Sequence, residues 1–323
     1  MQKISKAIEK FKTVKKNGPA KSKSIARQEY LAAANRKLNL FLMLAAFTNT
    51  LLISLFIGVG FTAQPLMIVE NPGDVTNSFG LMAYMVFAAA FMLVVLRYYK
   101  GKLLFQLLEY GLIATSAEVF GATFMPQYDA YIVVTAIATR LLFPQLQTFL
   151  LLFASIIVGS VLGASLDFFP VAVFAVLLAA YDYIAVFRTK HMVALAKGLT
   201  EREAAFSIKI GVSPVAKKGE EQKPTDASFA HPKPASHNGI ELGLGDFLVG
   251  VMLSVAALKI GTFPSFGFGL ASVIGASAGL AAMFIYLEKK GGFFPAVPPI
   301  AAGSLLCIFA YWLAGTAMKA MIG

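Results

Sequence analysis

Two aspartates stand inside apolar stretches where a carboxylate is costly. Asp182 lies in AAYDYIAVF, residues 179–187, and Asp246 lies in ELGLGDFLVGVMLSV, residues 241–255. An ionised aspartate near the middle of a transmembrane helix costs on the order of 2.5 to 3.5 kcal/mol, so such a residue usually faces a partner or a water-filled site. We therefore expect Asp182 and Asp246 to be partners.

The depths of the two aspartates agree with this pairing. Asp182 precedes Arg188 by six positions, or ~9 Å of helix, and Asp246 follows Asn238 by eight positions, or ~12 Å. Two acids close together in a low-dielectric site would titrate as a pair that shares one proton. In that arrangement one carboxylate activates water, and the protonated one polarises a scissile carbonyl.

Glycines and prolines lie at similar depths. Gly243 and Gly245 precede Asp246, and residues without side chains let a substrate backbone come close or let a helix start late. The stretch FFPAVPPI, residues 293–300, places three prolines shortly after Lys290. We expect these prolines to break the last span, because irregular backbone at that depth is tolerated where it lines a cavity.

The composition around these residues is that of an integral membrane protein. The 323 residues are 58% hydrophobic and 14% charged, with a mean hydropathy of +0.71. A helix needs about 20 apolar residues to cross the hydrocarbon of a bilayer. The apolar runs predict an all-α fold of nine transmembrane helices, at residues 38–63, 79–96, 103–124, 130–142, 145–166, 168–187, 239–260, 265–287 and 293–322.

Other catalytic chemistries lack their residues within these spans. The chain has one cysteine, Cys307, and none of its three histidines lies in a predicted span. A serine mechanism needs a base, and a zinc site needs histidine or cysteine ligands. We therefore expect neither a metal nor a cofactor.

The lysines and arginines predict the orientation of the protein in the membrane. If the N-terminus is cytoplasmic, all 28 of them except Lys259 and Lys319 fall in or beside cytoplasmic segments. An inverted arrangement would violate the positive-inside rule almost everywhere. We therefore expect a multi-pass protein with its N-terminus in the cytoplasm and its C-terminus outside. The net charge of +11 then reflects topology, and nucleic-acid binding is not needed to explain it.

The same patterns divide the chain into four parts. Residues 1–37 form a basic cytoplasmic segment, and residues 38–187 hold helices 1 to 6. Residues 188–238 form a cytoplasmic loop whose part from 211 onward is rich in Pro, Lys, Glu and Ser, a composition typical of disorder. Residues 239–323 hold helices 7 to 9.

Three motifs at one depth carry a family resemblance. They are YD at Tyr181 and Asp182, GLGD at Gly243–Asp246 and PAVP at Pro295–Pro298. Together they closely resemble the YD, GxGD and PALP motifs of the presenilin and signal peptide peptidase family of intramembrane aspartyl proteases, whose motif order and nine-span layout also match. The resemblance implies that Asp182 and Asp246 are the catalytic pair. It implies a site shaped by Tyr181, Gly243, Leu244, Gly245, Pro295, Ala296, Val297 and Pro298, with Val297 standing where the family usually has leucine.

The resemblance also implies partners. The cytoplasmic N-terminus is presenilin-like, and the compact chain is similar to prokaryotic, archaeal-type presenilin homologues that act without accessory subunits. The implied substrates are transmembrane proteins or signal-peptide-like segments in the lipid bilayer.

Two short stretches between the aspartates have strand-like patterns. FSIKIGV, residues 206–212, alternates apolar and other residues, and GIELG, residues 239–243, precedes the second aspartate. Both are also compatible with loops or helix ends. We expect them to pair into a β-ribbon, with Ile208 and Ile210 in the strand whose edge receives an unwound substrate.

Buried acids in a polytopic protein are also typical of a cation or proton pathway. A transporter or leak channel that uses the same aspartates is therefore the alternative function. Glu109 and Arg140 lie on neighbouring predicted spans and would belong to such a route, although we expect them to form a structural ion pair. Glu118 has no assigned role.

Overall fold

The apolar stretches form α-helices in the computed structural model, which describes residues 19–64, 69–99, 101–189, 207–210, 240–261, 265–290 and 294–322. Short 3₁₀ turns, Pro126–Tyr128 and Pro144–Leu146, precede the fourth and fifth helices. The helices of the described residues are α1 Pro19–Ala63, α2 Thr76–Tyr98, α3 Leu103–Phe124, α4 Asp129–Leu142, α5 Gln147–Ser165, α6 Phe168–Ile184, α7 Leu244–Ala257, α8 Phe266–Lys290 and α9 Val297–Ile322.

Seven helical segments of the described chain are long and apolar enough to cross a membrane. Helices α4 and α7 have 14 residues each, or ~21 Å, which is short of the ~30 Å of bilayer hydrocarbon. The protein is therefore an integral membrane protein with several spans.

Three helices begin four or more residues away from their predicted starts. Helix α1 begins at Pro19, well before the predicted residue 38, because the polar residues that precede the membrane span continue the same helix. Helix α7 begins only at Leu244, since residues 240–243 form a strand. Helix α9 begins at Val297, so residues 294–296 of the predicted last span are non-helical, whereas Pro298 and Pro299 lie in the first turn of the helix. Proline is compatible with a first turn because amide hydrogens there have no helical partner.

The chain divides into two compact units. One comprises residues 1–43 and 210–240, of which the structure describes mainly the first half of α1. The other comprises residues 44–209 and 241–323 and contains the remaining helices with both aspartates. Residues 1–18 of the predicted basic segment and the predicted disordered loop, residues 211–238, lie outside the described residues.

Helix α7 is the most enclosed helix of the second unit, and every residue from Val249 to Ala257 is buried. Glycines allow its neighbours to come close. A Cβ atom on Gly163 of α5 would lie 2.6 Å from the Met252 carbonyl oxygen of α7. Helices α8 and α9 also meet at glycines, since a Cβ on Gly275 would overlap the carbonyl oxygen of Gly303. Both contacts fit the close backbone approach that GxxxG spacing permits.

A buried ion pair joins α3 and α4. Arg140 Nε donates to Glu109 Oε1 at 2.6 Å, and the two side chains are 13% and 4% exposed. The Arg140 guanidinium also lies 5.6 Å from the ring centre of Tyr110, within cation–π range. The predicted structural pair is confirmed, and each charge has the partner that a charge in lipid needs.

Two four-residue strands precede α7 in the described chain. Strand β1 is Ser207–Ile210, strand β2 is Ile240–Gly243, and they pair in a two-stranded sheet. The side chains of Ile208 and Leu242 are buried, at 0% and 4% exposure. The second strand of this small sheet leads directly into the first residue of α7.

Candidate active site

Asp182 lies in the last turn of α6 and is only 8% exposed. The helix continues beyond it as one π-helical turn, Ala185–Thr189. The carboxylate of Asp182 lies close enough to the backbone N–H of Val297, the first residue of α9, for the two groups to interact electrostatically. The first amides of a helix have no acceptor within the helix, so the start of α9 supplies a free donor to this buried acid.

Asp246 lies in the first turn of α7 and is partly buried. Its Oδ2 atom accepts a hydrogen bond of 3.1 Å from the backbone N–H of Gly243, the residue that caps the helix. An acidic residue at this position is a common helix-capping arrangement. Helix capping alone would explain this hydrogen bond. The interpretation of Asp246 therefore depends on which other group lies near its carboxylate.

That partner is Asp182. The two carboxylates are close enough to interact electrostatically across the α6–α7 contact. A buried core shared by α6, α7 and the start of α9 holds them in this relation, with Phe174 and Leu178, Met252 and Leu253, and Val297 among its members. The structure therefore brings together the two aspartates that the sequence paired.

The PAVP segment lies against this pair. Pro295, Ala296 and Val297 are buried and Pro298 is partly buried. The importance of the Val297 amide was not predicted, although the sequence contains a signal for it. Residues 295–299 read PAVPP, and proline has no amide hydrogen, so only Ala296 and Val297 carry backbone donors there.

The glycines before Asp246 have different surroundings. A Cβ on Gly243 would lie 3.2 Å from Oδ2 of Asp246, whereas a Cβ on Gly245 would meet no atom within 4 Å. Gly245 is exposed and Leu244 is partly buried. Gly243 therefore leaves room for the carboxylate, and Gly245 leaves open space beside it.

The remaining predicted site residues are Tyr181, Ile208 and Ile210. Tyr181 is partly buried and packs against the core shared by α6, α7 and α9. Ile208 is fully buried in β1, and Ile210 is the last residue of that strand. The side chain of Ile208 therefore packs inside the protein, and a role in substrate binding would involve its backbone.

This arrangement can carry out acid–base chemistry on a polar bond. Two neighbouring carboxyl groups that share one proton provide a base and an acid at the same time. The backbone donors from Gly243 and Val297 orient one carboxyl each and leave other oxygens for water or substrate.

Comparison with known proteins agrees with this geometry. The family model described as "Signal-peptide peptidase, presenilin aspartyl protease" matches residues 44–317. The chain belongs to this family, and its class is that of an intramembrane aspartyl protease of the presenilin type. The family resemblance of the YD, GLGD and PAVP motifs is thereby confirmed.

Two solved structures share the fold. Both are of a presenilin family intramembrane aspartate protease, one in space group C222 and one in P2. The first superposes with a TM-score of 0.59 at 22% identity and covers 85% of this chain and 99% of its own. The second gives a TM-score of 0.55 at 22% identity, with 86% and 97% covered. None of the curated proteins compared matches the chain.

We expect Gly243→Ala and Gly245→Ala to affect cleavage in different ways. The new methyl at position 243 would push against the Asp246 carboxylate, so kcat should fall about tenfold or more. The methyl at position 245 meets no protein atom, so any loss must come from contact with substrate and appear in KM. Steady-state cleavage of a single-span substrate in detergent measures both constants. A lower kcat for Gly245→Ala together with an unchanged kcat for Gly243→Ala would contradict this expectation.

Proposed function

We propose that Asp182 and Asp246 are the catalytic pair with which this protein hydrolyses peptide bonds inside transmembrane segments. The observation that supports this most is their meeting at a buried position, where each carboxylate is held by a backbone amide from the start of a different helix. Membership of a family of aspartyl proteases supplies the reaction class.

The chemistry follows from one shared proton. The ionised carboxylate takes a proton from a water molecule, whose oxygen attacks the scissile carbonyl carbon. The protonated carboxyl gives its proton to the carbonyl oxygen, forming a tetrahedral diol. Collapse of the diol returns one proton to the pair and delivers one to the leaving amine. The products are a carboxylic acid and an amine, and the pair regains its original single proton.

The substrate class follows from where the pair lies. A site within the membrane-spanning helices meets transmembrane or signal-peptide-like segments that arrive as helices. In a helix the scissile carbonyl is hydrogen-bonded and shielded, so it must unwind locally before water can attack. An unwound segment leaves amides and carbonyls without partners, and these need new partners inside the membrane.

The β-ribbon would provide such partners. Strand β2 ends at Gly243, three residues before Asp246, so an extended substrate beside the ribbon would lead directly to the proposed pair. Main-chain bonding to a strand edge gives affinity with little sequence preference. We include the edge of β1 and β2 in the proposed substrate site on this basis.

The proposed topology has nine spans and a cytoplasmic N-terminus. The short helices α4 and α7 lie between longer spans, and counting both as crossings places all large basic segments on one side. We propose further that the single chain is sufficient for activity, because both aspartates and their amide donors come from it.

Replacing either aspartate by asparagine should abolish cleavage. Asp182→Asn and Asp246→Asn each keep the size of the side chain but remove the group that exchanges the proton. Purified protein incubated with a single-span substrate should yield two fragments for the wild type and none for either variant, at equal thermal stability.

Appreciable turnover by either single variant would disprove the catalytic pair.

Wild-type activity should also fall at both ends of the pH range, because the pair is inactive when both carboxyls are protonated and when both are ionised. Ion flux without fragments would instead favour the transport alternative.

Proline substitutions on neighbouring residues of β1 should have unequal effects. Successive amides of a strand point to opposite edges, so Lys209→Pro and Ile210→Pro remove donors from different edges. Only one of these edges is free to bind substrate, and the variant that affects it should raise KM. Wild-type rates in both variants would exclude the ribbon from substrate binding. Ile208 is avoided because its side chain is fully buried.

Tags at the termini should report the orientation. In inverted membrane vesicles, a protease added outside should remove an N-terminal tag and leave a tag after Gly323 intact. A protected N-terminal tag would overturn the proposed topology.

A further inference from the structure

Lys259 is one of two basic residues that depart from the charge pattern of the sequence, and the structure gives it specific partners. Its Nζ atom donates a hydrogen bond of 2.8 Å to the carbonyl oxygen of Leu166. The same atom lies 3.8 Å from Oδ1 of Asp167, and the Lys259 side chain is only 21% exposed. Lys259 follows the end of α7, whereas Leu166 and Asp167 connect α5 to α6. One side chain thus ties the end of one aspartate helix to the beginning of the other.

The carbonyl of Leu166 needs this donor. It directly follows the C-terminus of α5, where carbonyls lack the amide partners of a continuing helix. Leu166 itself is 2% exposed and belongs to the core shared by α6, α7 and α9. An unsatisfied carbonyl in apolar surroundings is costly, so the ammonium group stabilises the connection as well as the helix pair.

Both ends of this tether are fixed to their helices. The backbone N–H of Lys259 bonds to the carbonyl of Ala256, which continues the last turn of α7. On the other side, the N–H of Asp167 bonds to the carbonyl of Pro72, and the carbonyl of Asp167 accepts the N–H of Val171 in the first turn of α6. Neither end can slide without breaking backbone hydrogen bonds.

The tether lies at nearly the same distance from both aspartates. Asp246 precedes Lys259 by thirteen residues and Asp182 follows Asp167 by fifteen, which correspond to ~20 Å and ~22 Å of helix. Two helices joined at one end, each running a similar length to its aspartate, place the two aspartates at similar depths. A shift of α7 along α6 by one residue would move one carboxylate ~1.5 Å against the other.

We propose that Lys259 is a positioning residue that sets the axial register of α6 and α7 and thereby the relation of Asp182 to Asp246. This rests on the proposed function, in which the two carboxyls must share a proton. Lys259 itself contacts neither Asp182 nor Asp246 and takes no part in the chemistry.

Cleavage kinetics give the first test. Lys259→Met removes the donor and should lower kcat at least about tenfold while KM stays within about twofold, because displaced carboxyls impair the reaction more than binding. Lys259→Arg keeps a cationic donor and should retain kcat within about threefold. Lys37→Met, which removes an exposed lysine, is the control and should leave both constants unchanged.

Unchanged kcat in Lys259→Met, or an equal loss in Lys259→Arg, would overturn the proposal. The activity–pH profile of Lys259→Met should also narrow or shift, since a weaker contact between the carboxyls changes how they share the proton. A purely structural role would lower thermal stability without moving this profile. If Lys259→Met does not fold, Lys259→Gln, with a shorter neutral donor, takes its place.

Cross-linking tests the register without relying on proteolysis. The single natural cysteine allows a background of Cys307→Ser, in which Asp182→Cys and Asp246→Cys are combined. A short bifunctional thiol reagent should join the two positions efficiently, and adding Lys259→Met should reduce the yield while Lys37→Met does not. An equal yield with and without Lys259 would overturn the positioning role. If the wild type cleaves no substrate, the proposed function fails, and this yield still decides whether Lys259 sets the register.

Discussion

A buried carboxylate needs hydrogen-bond donors, and inside a membrane water does not supply them freely. Within a helix the backbone amides are already occupied, so a helix offers free amides only in its first turn. Both aspartates obtain their donors from such places. Asp246 accepts a hydrogen bond from the amide of Gly243, which caps α7, and Asp182 interacts with the amide of Val297, which begins α9. The late start of α7 after a strand and the late start of α9 after Pro295 are therefore requirements of the acids beside them.

Close helix contact is the second requirement, because amides act only at short range. Gly163 lets α5 approach the α7 backbone, and Gly275 and Gly303 let α8 approach α9. The helices that carry Asp246 and Val297 are thus each packed closely against a neighbouring helix at glycines. The ion pair of Glu109 with Arg140 follows the same rule of compensation between α3 and α4.

The same physics applies to a substrate. Unwinding a transmembrane helix frees amides and carbonyls that lipid cannot satisfy, so a protein that cuts such a helix must offer main-chain partners close to its acids. Strand β2 leads directly into the turn that holds Asp246. Gly245 leaves open space at that point. A strand edge, an open glycine and an acid in succession are what a locally extended chain would need in order to react.

The sequence determined much of this arrangement by itself. Its apolar runs predicted the helices, with α3 correct at both ends, because crossing a bilayer imposes a length and a composition that local sequence records. The two aspartates were identified from the cost of a charge in an apolar span. The motifs around them, YD, GLGD and PAVP, identified the family. The pairing of Glu109 with Arg140 followed from the same cost and from the neighbouring positions of their spans.

Only the tertiary structure decided which atoms hold the aspartates. The amide of Val297 reaches Asp182 from more than a hundred residues away, and the ammonium group of Lys259 reaches Leu166 across 93 positions. From the sequence alone, Lys259 was an exception to the charge pattern. Hydropathy describes one helix at a time and does not show which other helix a side chain contacts. The irregular backbone before Val297 was predicted from the prolines, but the place of Pro298 and Pro299 in the first turn of α9 was not. Local sequence records what a helix needs from lipid, whereas the donors that a buried charge needs come from whichever other helix packs against it.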